Sequence, residues 1–390
     1  MERVITATLA PMPIRLCIVP VHTSLPDAER PIGTFINAHV HPAWDQLNEY
    51  PRLTRHIQTM NYGLRQRRMP VHQFQGWYAA FLYNGNIVGG RYGRMTTLVS
   101  DQAAEACASK TLTQTYAAAA DLPVAGGKAF AADAEAAAHQ LLAAGGSWVV
   151  KPDAARRGRG VSLQVTESGF PDAWKRAVRL RPRGARSSQE VVVEPFHDGL
   201  LVRFFVVGGT SYAAAVRVPL FVIGDGSSTV ADLVRASFEH RSVHALLKST
   251  LPSLGSVLSE LPDPLTGETV LERGDLRMLQ EDGRLTAGGL PFDVTDMVSP
   301  ALRSLAERAA QSIPGLGAAA IDLITPALNS ADGAVIVDAD AWASVLIHRF
   351  PAFGRRRRVM WELTQMLSLR AQYWDSPRLP LISSSVEDAD

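Results

Sequence analysis

The run Val149-Val150-Lys151-Pro152, followed by Gly158-Arg159-Gly160-Val161-Ser162, constrains this chain more than any other stretch of it. The valines mark a buried strand that delivers a lysine at its end. The glycines let backbone N–H groups approach an anion closely, and the lysine adds a point charge. That is an arrangement for handling phosphate. It differs from the G-x-x-x-x-G-K-[ST] pattern because the lysine precedes the glycines, and an Arg-Gly-Arg-Gly segment also serves as a solvated turn. Only five of the 39 basic residues are lysine, so a lysine on this strand is not a routine surface choice.

A chain of 390 residues can bury a sizeable core, and two or three subdomains are expected. The net charge of +1 gives no footing for nucleic acid or an acidic partner. Arg355-Arg356-Arg357-Arg358 is a local basic run, read as a solvated turn ahead of a helix, with a polyanion groove as the alternative. Cys17 and Cys107 are too few for a disulfide framework and lack metal-type spacing, which points to a reducing cytoplasm. No targeting peptide and no run of about 18 apolar residues is recognisable, so no membrane association is expected.

Residues 1–100 offer a strand candidate at 14–20 and otherwise no clean period. Beyond them the pattern predicts a helix around 110–120, an alanine-rich helix at 131–144 stopped by Gly145-Gly146, and the strand into Lys151. A strand at 191–194 has an acidic end. Segments 201–207 and 212–218 flank Gly208-Gly209 as a hairpin, and the turn Gly224-Asp225-Gly226 leads to a helix starting near Ser228. A helix at 300–312, strands at 318–325 and 334–338 and a final helix at 359–369 complete an α+β pattern.

The chain carries, in order, Tyr92-Gly93 with Ser100-Asp101, Ser109-Lys110 with Leu112-Thr113, Leu122-Pro123-Val124, the 149–161 region and Val193-Glu194. There follow Arg203 with Val206-Val207-Gly208, Arg217 with Pro219, residues 222–226, Gly288-Gly289, Asp293-Val294-Thr295-Asp296, Ile321-Asp322, and His348 with Pro351. This succession resembles the ATP-grasp ligases, most closely the ATP-grasp module of cyanophycin synthetases and bifunctional glutathione synthetases. Residues 1–89 have no counterpart. The resemblance implies an α+β ATP-grasp fold that holds nucleotide between two α+β subdomains. It divides the chain into a divergent N-terminal region (1–110), a central subdomain with a phosphate lid (111–205), a C-terminal subdomain with the metal and substrate site (206–375) and a tail (376–390).

It also implies ATP with Mg²⁺, or Mn²⁺ in its place. Lys110 and Lys151 match the nucleotide lysines, against the alternative of two surface lysines. Arg157, Gly158, Arg159, Gly160 and Val161 match the lid. Glu194 matches the acid on the adenine side, with the backbone of Phe196 and His197 following the base. Leu201 stands where the family places a second acid for the ribose. Arg203 and Arg217 match arginines that face the phosphates and the acyl phosphate, a hairpin salt bridge being the bland alternative. Gly288 and Gly289 match a substrate loop, but Arg284 replaces its asparagine, which implies a different substrate.

Asp322, Asp338 and Asp340 are the metal candidates. The last two lie at period two, so their side chains face the same way. Charges on apolar strands need a partner or a cation, and oxygen ligands suit Mg²⁺. A pair capped by arginine is the alternative. The family has glutamate and asparagine at 338 and 340. His39, His41 and His72 read as scattered surface histidines rather than ligands, and Trp44 and Trp77 either line an acceptor pocket or are core.

The reading that follows is a cytoplasmic, stand-alone ATP-dependent carboxylate–amine ligase of the acid–amino acid type, working through an acyl phosphate. Its partners would be a small carboxylate donor and an amine acceptor, an amino acid or peptide, with neither nucleic acid nor membrane involved and homo-oligomer formation left open. A thiol or hydroxyl acceptor, and a degenerate nucleotide-binding regulatory module, are the alternatives. Lys151, as a strand-end ligand, is expected to be dispensable for folding. A lid must open to admit ATP, so amide hydrogen exchange across residues 154–162 should slow when ATP and Mg²⁺ are added. Equal protection in both states would contradict a lid.

Overall fold

The computed structural model describes residues 25–156, 158–182 and 188–373. The strand candidate at 14–20, Cys17, Arg157 and the tail from 376 lie outside these residues. Strands β1 (Val71–Gln73), β2 (Tyr78–Tyr83), β3 (Asn86–Tyr92) and β4 (Met95–Thr96) form an antiparallel sheet in that order. Asn84 (φ 50°) and Gly85 (φ 78°) make the β2–β3 turn, and positive φ at both central residues is what a two-residue hairpin requires.

A second sheet contains β5 (Lys128–Phe130), β6 (Trp148–Pro152), β7 (Ser162–Val165) and β8 (Val191–Pro195), in the order β5-β8-β6-β7. The amphipathic helix Phe170–Arg179 covers it, seating Phe170, Trp174 and Ala177 against Val150 and Val193.

The third and largest sheet is built from β9 (Leu200–Val207), β10 (Thr210–Val218), β13 (Leu290–Asp293), β14 (Ala318–Thr325) and β15 (Val335–Asp340), in the order β13-β10-β9-β14-β15. The intervening β11 (Phe221–Ile223) and β12 (Leu276–Met278) pair with each other.

β9 lies at the centre of this sheet and alternates between two cores, as the strand period of two demands. Val202, Phe204 and Val206 join Leu302, Leu305 and Ala306 of the helix Pro300–Gln311. Phe205 and Val207 join Met360, Leu363 and Leu367 of the helix Val359–Tyr373. The N-terminal region closes this second face through the helix His56–Gln66, which places Met60 and Leu64 in the same core. The two helices touch at Gly63, where a Cβ would lie 2.8 Å from Thr364 Oγ1.

Several boundaries differ from the sequence expectation. The alanine run gives only a short helix, Glu135–His139, continued as a 3₁₀ turn over Gln140–Ala144. Its first residues are spent on a turn closed by Ala134 N–H on the Ala131 carbonyl (2.9 Å). The helix expected near Ser228 starts at Val230 because Thr229 is its cap, its hydroxyl accepting from Asp232 N–H (3.2 Å). β15 runs on to Asp340, and the last helix to Tyr373.

Candidate active site

The second and third sheets and the N-terminal region enclose a cleft of about 1880 Å³. Lys151 and Glu194 enter it from β6 and β8, whose register sets Val149 opposite Glu194 and Lys151 opposite Val192. Lys151 Nζ is ion-paired with Glu194 Oε1, and only 7% and 4% of the two side chains is exposed. Gln114 Nε2 donates to the other Glu194 oxygen at 3.0 Å. Gly127 permits this packing, since a Cβ there would sit 2.8 Å from Glu194 Cβ.

Lys110 begins the helix Lys110–Ala119 and donates through Nζ to the carbonyls of Asp153 (2.9 Å) and Ala155 (2.8 Å). Burial lowers its pKa, Lys151 adding to that effect while Asp338 opposes it. Asp153 Oδ1 in turn accepts from Thr111 N–H (2.8 Å) and Thr111 Oγ1 (3.0 Å). Sequence reasoning passed over Asp153, although its place directly after Lys151-Pro152 was a usable signal.

In the glycine segment expected to act as a lid, Gly158 (φ 64°) and Gly160 (φ 75°) adopt backbone conformations that favour glycine. Gly158 and Val161 face the cleft, Gly160 is buried against Pro152 and Leu180, and Arg159 is exposed. Gly158 packs on the Arg284 guanidinium, 2.8 Å from where its Cβ would be. Phe196, His197 and Leu201 all line the cleft. The Phe196 N–H donates to the Ser147 carbonyl (2.9 Å), so that donor serves the fold. His197 Nε2 lies 3.0 Å from the Ala125 carbonyl.

Across the cleft stands a charged centre. Arg203 on β9 is opposite Asp322 on β14 and grips it with two bonds, Nε to Oδ1 and Nη2 to Oδ2, each 2.7 Å. Arg203 Nη1 reaches Asp340 Oδ2 at 3.4 Å, and Arg217 Nη1 lies 3.8 Å from Asp322 Oδ2. Burial lowers the Arg217 pKa and neighbouring Arg203 lowers it further, against the pull of Asp322 and Asp340. Arg217 is therefore a cleft-lining cation short of negative charge. Burial, opposed by Lys110 and reinforced by Asp322 and Asp340, pushes the Asp338 carboxyl up to about 6. His348, fully buried beside this centre with its pKa pushed down to about 3 by burial and the two arginines, stays neutral.

Asp322, Asp338 and Asp340, the metal candidates of the sequence, all line the cleft. Among the described residues no group of three or more His, Cys, Asp or Glu side chains is arranged to hold a metal ion. Both oxygens of Asp322 accept from Arg203 at 2.7 Å, while Asp340 accepts from Arg203 Nη1 at 3.4 Å and from the Trp342 N–H at 2.9 Å. Asp338 and Asp340 face the cleft without closing a cage, and a pair of carboxylates completed by phosphate oxygens is the donor set Mg²⁺ ordinarily uses. His39 packs on Phe35 at 4.9 Å and joins no ligand set.

Gly288 and Gly289 shape the loop expected to meet substrate rather than line the cleft themselves. Gly288 is left-handed (φ 85°), and a Cβ on Gly289 would lie 2.3 Å from the Gly283 carbonyl oxygen. Residues 282–286 reach the cleft instead. Behind the loop Arg241, fully buried, donates Nη1 to the Gly288 carbonyl at 2.6 Å. Burial brings its pKa down to about 9, and its Nε and Nη2 have no hydrogen-bond partner among the described residues. Nothing in the sequence marked Arg241. Trp44 lies beside it, packed on Phe221 and stacked on His240 as core, whereas Trp77 is 66% exposed on the cleft wall. The basic run is a mostly exposed turn ahead of the last helix, in which Arg357 binds Asp293 (2.7 Å) and Asp296 (2.6 Å) and Arg355 reaches Asp296 at 3.4 Å.

No family model matches the chain. The fold is the ATP-grasp fold: the crystal structure of a bifunctional glutathione synthetase from Pasteurella multocida superposes over 86% of this chain and 47% of its own, with a TM-score of 0.54 and 21% identity. In sequence the chain is similar to ATP-grasp ligases. It is 30% identical to the cyanophycin synthetase of Geminocystis herdmanii over 231 residues, 56% of this chain and 25% of that one. It is also 30% identical to the glutathione biosynthesis bifunctional protein of Mannheimia succiniciproducens over 244 residues, 60% of this chain and 31% of that one. The chain thus spans about a quarter to a third of the length of these curated relatives. Among the described residues no helix is long and apolar enough to cross a membrane.

Two outcomes are expected. Lys151→Ala should lose ATP binding and also stability, by about 3–5 kcal/mol, because Glu194 is left charged and buried; this departs from the expectation that Lys151 is dispensable for folding. Lys151→Met with Glu194→Gln should recover the fold in urea unfolding but not ATP binding. The second concerns Asp338. Its folded-state value lies above the ordinary 3.8, so its contribution to stability is complete below pH 3.8 and is lost as pH rises through about 6. With chelator present, Asp338→Asn should raise Tm at pH 8 by roughly 2 °C or more, and the gain should vanish as pH falls to 4.

Proposed function

We propose that this chain is an ATP- and Mg²⁺-dependent ligase that joins a carboxylate to an amine through an acyl phosphate. The observation that carries the proposal is a single cleft with Lys110, Lys151 and a glycine lid on one side and Arg217, Asp338 and Asp340 on the other. Similarity to cyanophycin synthetase and the glutathione biosynthesis bifunctional protein supports it. ATP lies between the β5–β8 sheet and the β9–β15 sheet, its base toward Glu194 and His197 and its phosphates toward the two lysines and the lid.

An oxygen of the donor carboxylate attacks the γ-phosphorus, the bond from that phosphorus to the bridging oxygen breaks, and ADP leaves. Arg217 offsets negative charge on the transferring phosphoryl group, aided by Arg203, which the Asp322 carboxylate holds in orientation. The acceptor nitrogen then attacks the acyl carbon, inorganic phosphate leaves, and the nitrogen gives up a proton to yield the amide. Mg²⁺, held by Asp338, Asp340 and phosphate oxygens, would supply charge neutralisation of the triphosphate. Amino acids or small peptides as both donor and acceptor, and a cytoplasmic setting, are part of the same proposal.

The test is phosphate and ADP release from ATP and Mg²⁺ against panels of amino acids, dipeptides, thiols and alcohols, followed by product mass. Amine-dependent release with an amide product is expected, and Arg217→Met should lower kcat by at least about a hundredfold. Release with thiols or alcohols alone would change the nucleophile. ATP binding without substrate-dependent release would replace the ligase with a nucleotide-binding module.

A further inference from the structure

The N-terminal region builds one wall of the cleft. Trp77 and Tyr92 line it together with Trp342, which follows β15 two residues after Asp340. Tyr92 and Trp342 pack edge to face with ring centroids 5.0 Å apart, and Tyr78 stacks on Tyr92 at 4.6 Å. The two indoles converge over Gly93 (φ 58°), where a Cβ would lie 2.7 Å from Trp342 and 3.3 Å from Trp77. The backbone beneath Trp77 is pinned, its carbonyl accepting from Gly93 N–H (2.9 Å) and Arg91 Nη1 (3.2 Å).

Trp77 is nevertheless 66% exposed and Tyr92 41%. An indole carried on an anchored backbone and left open to the cleft is a stacking surface rather than core. The wall adjoins the reacting end: Trp342 N–H donates to Asp340 Oδ1 at 2.9 Å, and the lid residue Arg156 lies over the Trp342 ring at 5.2 Å.

Arg156 and Arg217 line the same cleft, so a carboxylate borne by a ring on this wall has positive charge to face.

We infer that the carboxylate donor carries a planar aromatic ring, which stacks on Trp77 and Trp342 while its carboxylate points to the arginine-lined, phosphoryl-accepting end of the cleft. This rests on the ligase reading and narrows its donor.

The test uses the full chain with ATP, Mg²⁺ and hydroxylamine as a surrogate amine, reading hydroxamate and ADP for aromatic acids and for cyclohexyl and linear acids of matched size. Aromatic acids should show KM values about three- to tenfold lower than their saturated counterparts. Trp77→Ala should raise KM for the aromatic acid by a similar factor while leaving KM for ATP unchanged, and Trp77→Phe should restore most of the loss. Thermal unfolding checks that these exposed-site variants remain folded. Equal use of aromatic and saturated acids, or an unaltered KM in Trp77→Ala, overturns the aromatic donor and leaves the ligase standing. Absence of hydroxamate and ADP with every acid overturns the ligase, and this inference with it.

Discussion

The buried fork between Arg203 and Asp322 is the constraint on which the rest of the structure depends. It joins the central strand of the largest sheet, β9, to its neighbour β14 in register, at a place where the residues on either side are apolar and closely packed. Removing one partner of such a pair strands a charge, at a cost of about 3–5 kcal/mol, whereas replacing both by apolar residues can be neutral for stability. Folding stability alone therefore does not account for a buried pair at this place. Because Arg203 satisfies Asp322 so fully, Arg217 has only a distant share of that carboxylate, and Asp338 carries its charge at a disadvantage. Both imbalances face the cleft, and a triphosphate with its cation would relieve both at once.

Much of this was legible in the sequence where a pattern is local. The hairpin around Gly208-Gly209, the strand at Ala318–Thr325 and the helix from Pro300 have strong periods or glycine punctuation. The β2–β3 hairpin had an equally clear signal in Asn84-Gly85 that went unread, because the unbroken apolar run of β2 does not alternate as a half-exposed strand should. The alanine run misled for the opposite reason: helix propensity alone, without an apolar stripe to bury, sustains little helix.

In the site, residue types were readable but partners were not. Pairing of Lys151 with Glu194 depends on the β6–β8 register, and the role of Arg241 depends on which loop folds over it; neither is a property of neighbours in the chain. Asp322 shows the limit most clearly. A carboxylate on an apolar strand demands a positive partner, but whether that is a metal or an arginine is decided by a strand more than a hundred residues away. The N-terminal region shows the same dependence. Arg30 reaches Glu281 through both terminal nitrogens, at 2.7 and 2.8 Å, and Asp198 at 3.1 Å, so a segment with no recognisable motif ties together two walls of the cleft.

The grip of Lys110 on the carbonyls of Asp153 and Ala155 has a bearing on selectivity. Two of the three ammonium donors already have good acceptors, and those acceptors lie in the segment that runs into the lid. An anion that offered only charge would have to draw the lysine away from both bonds and leave two carbonyls unpaired. An anion with further contacts in the cleft, at Arg217 for one, can meet that cost through them. Lys110 as it is held here thus favours an anion with several anchors over one that offers charge alone.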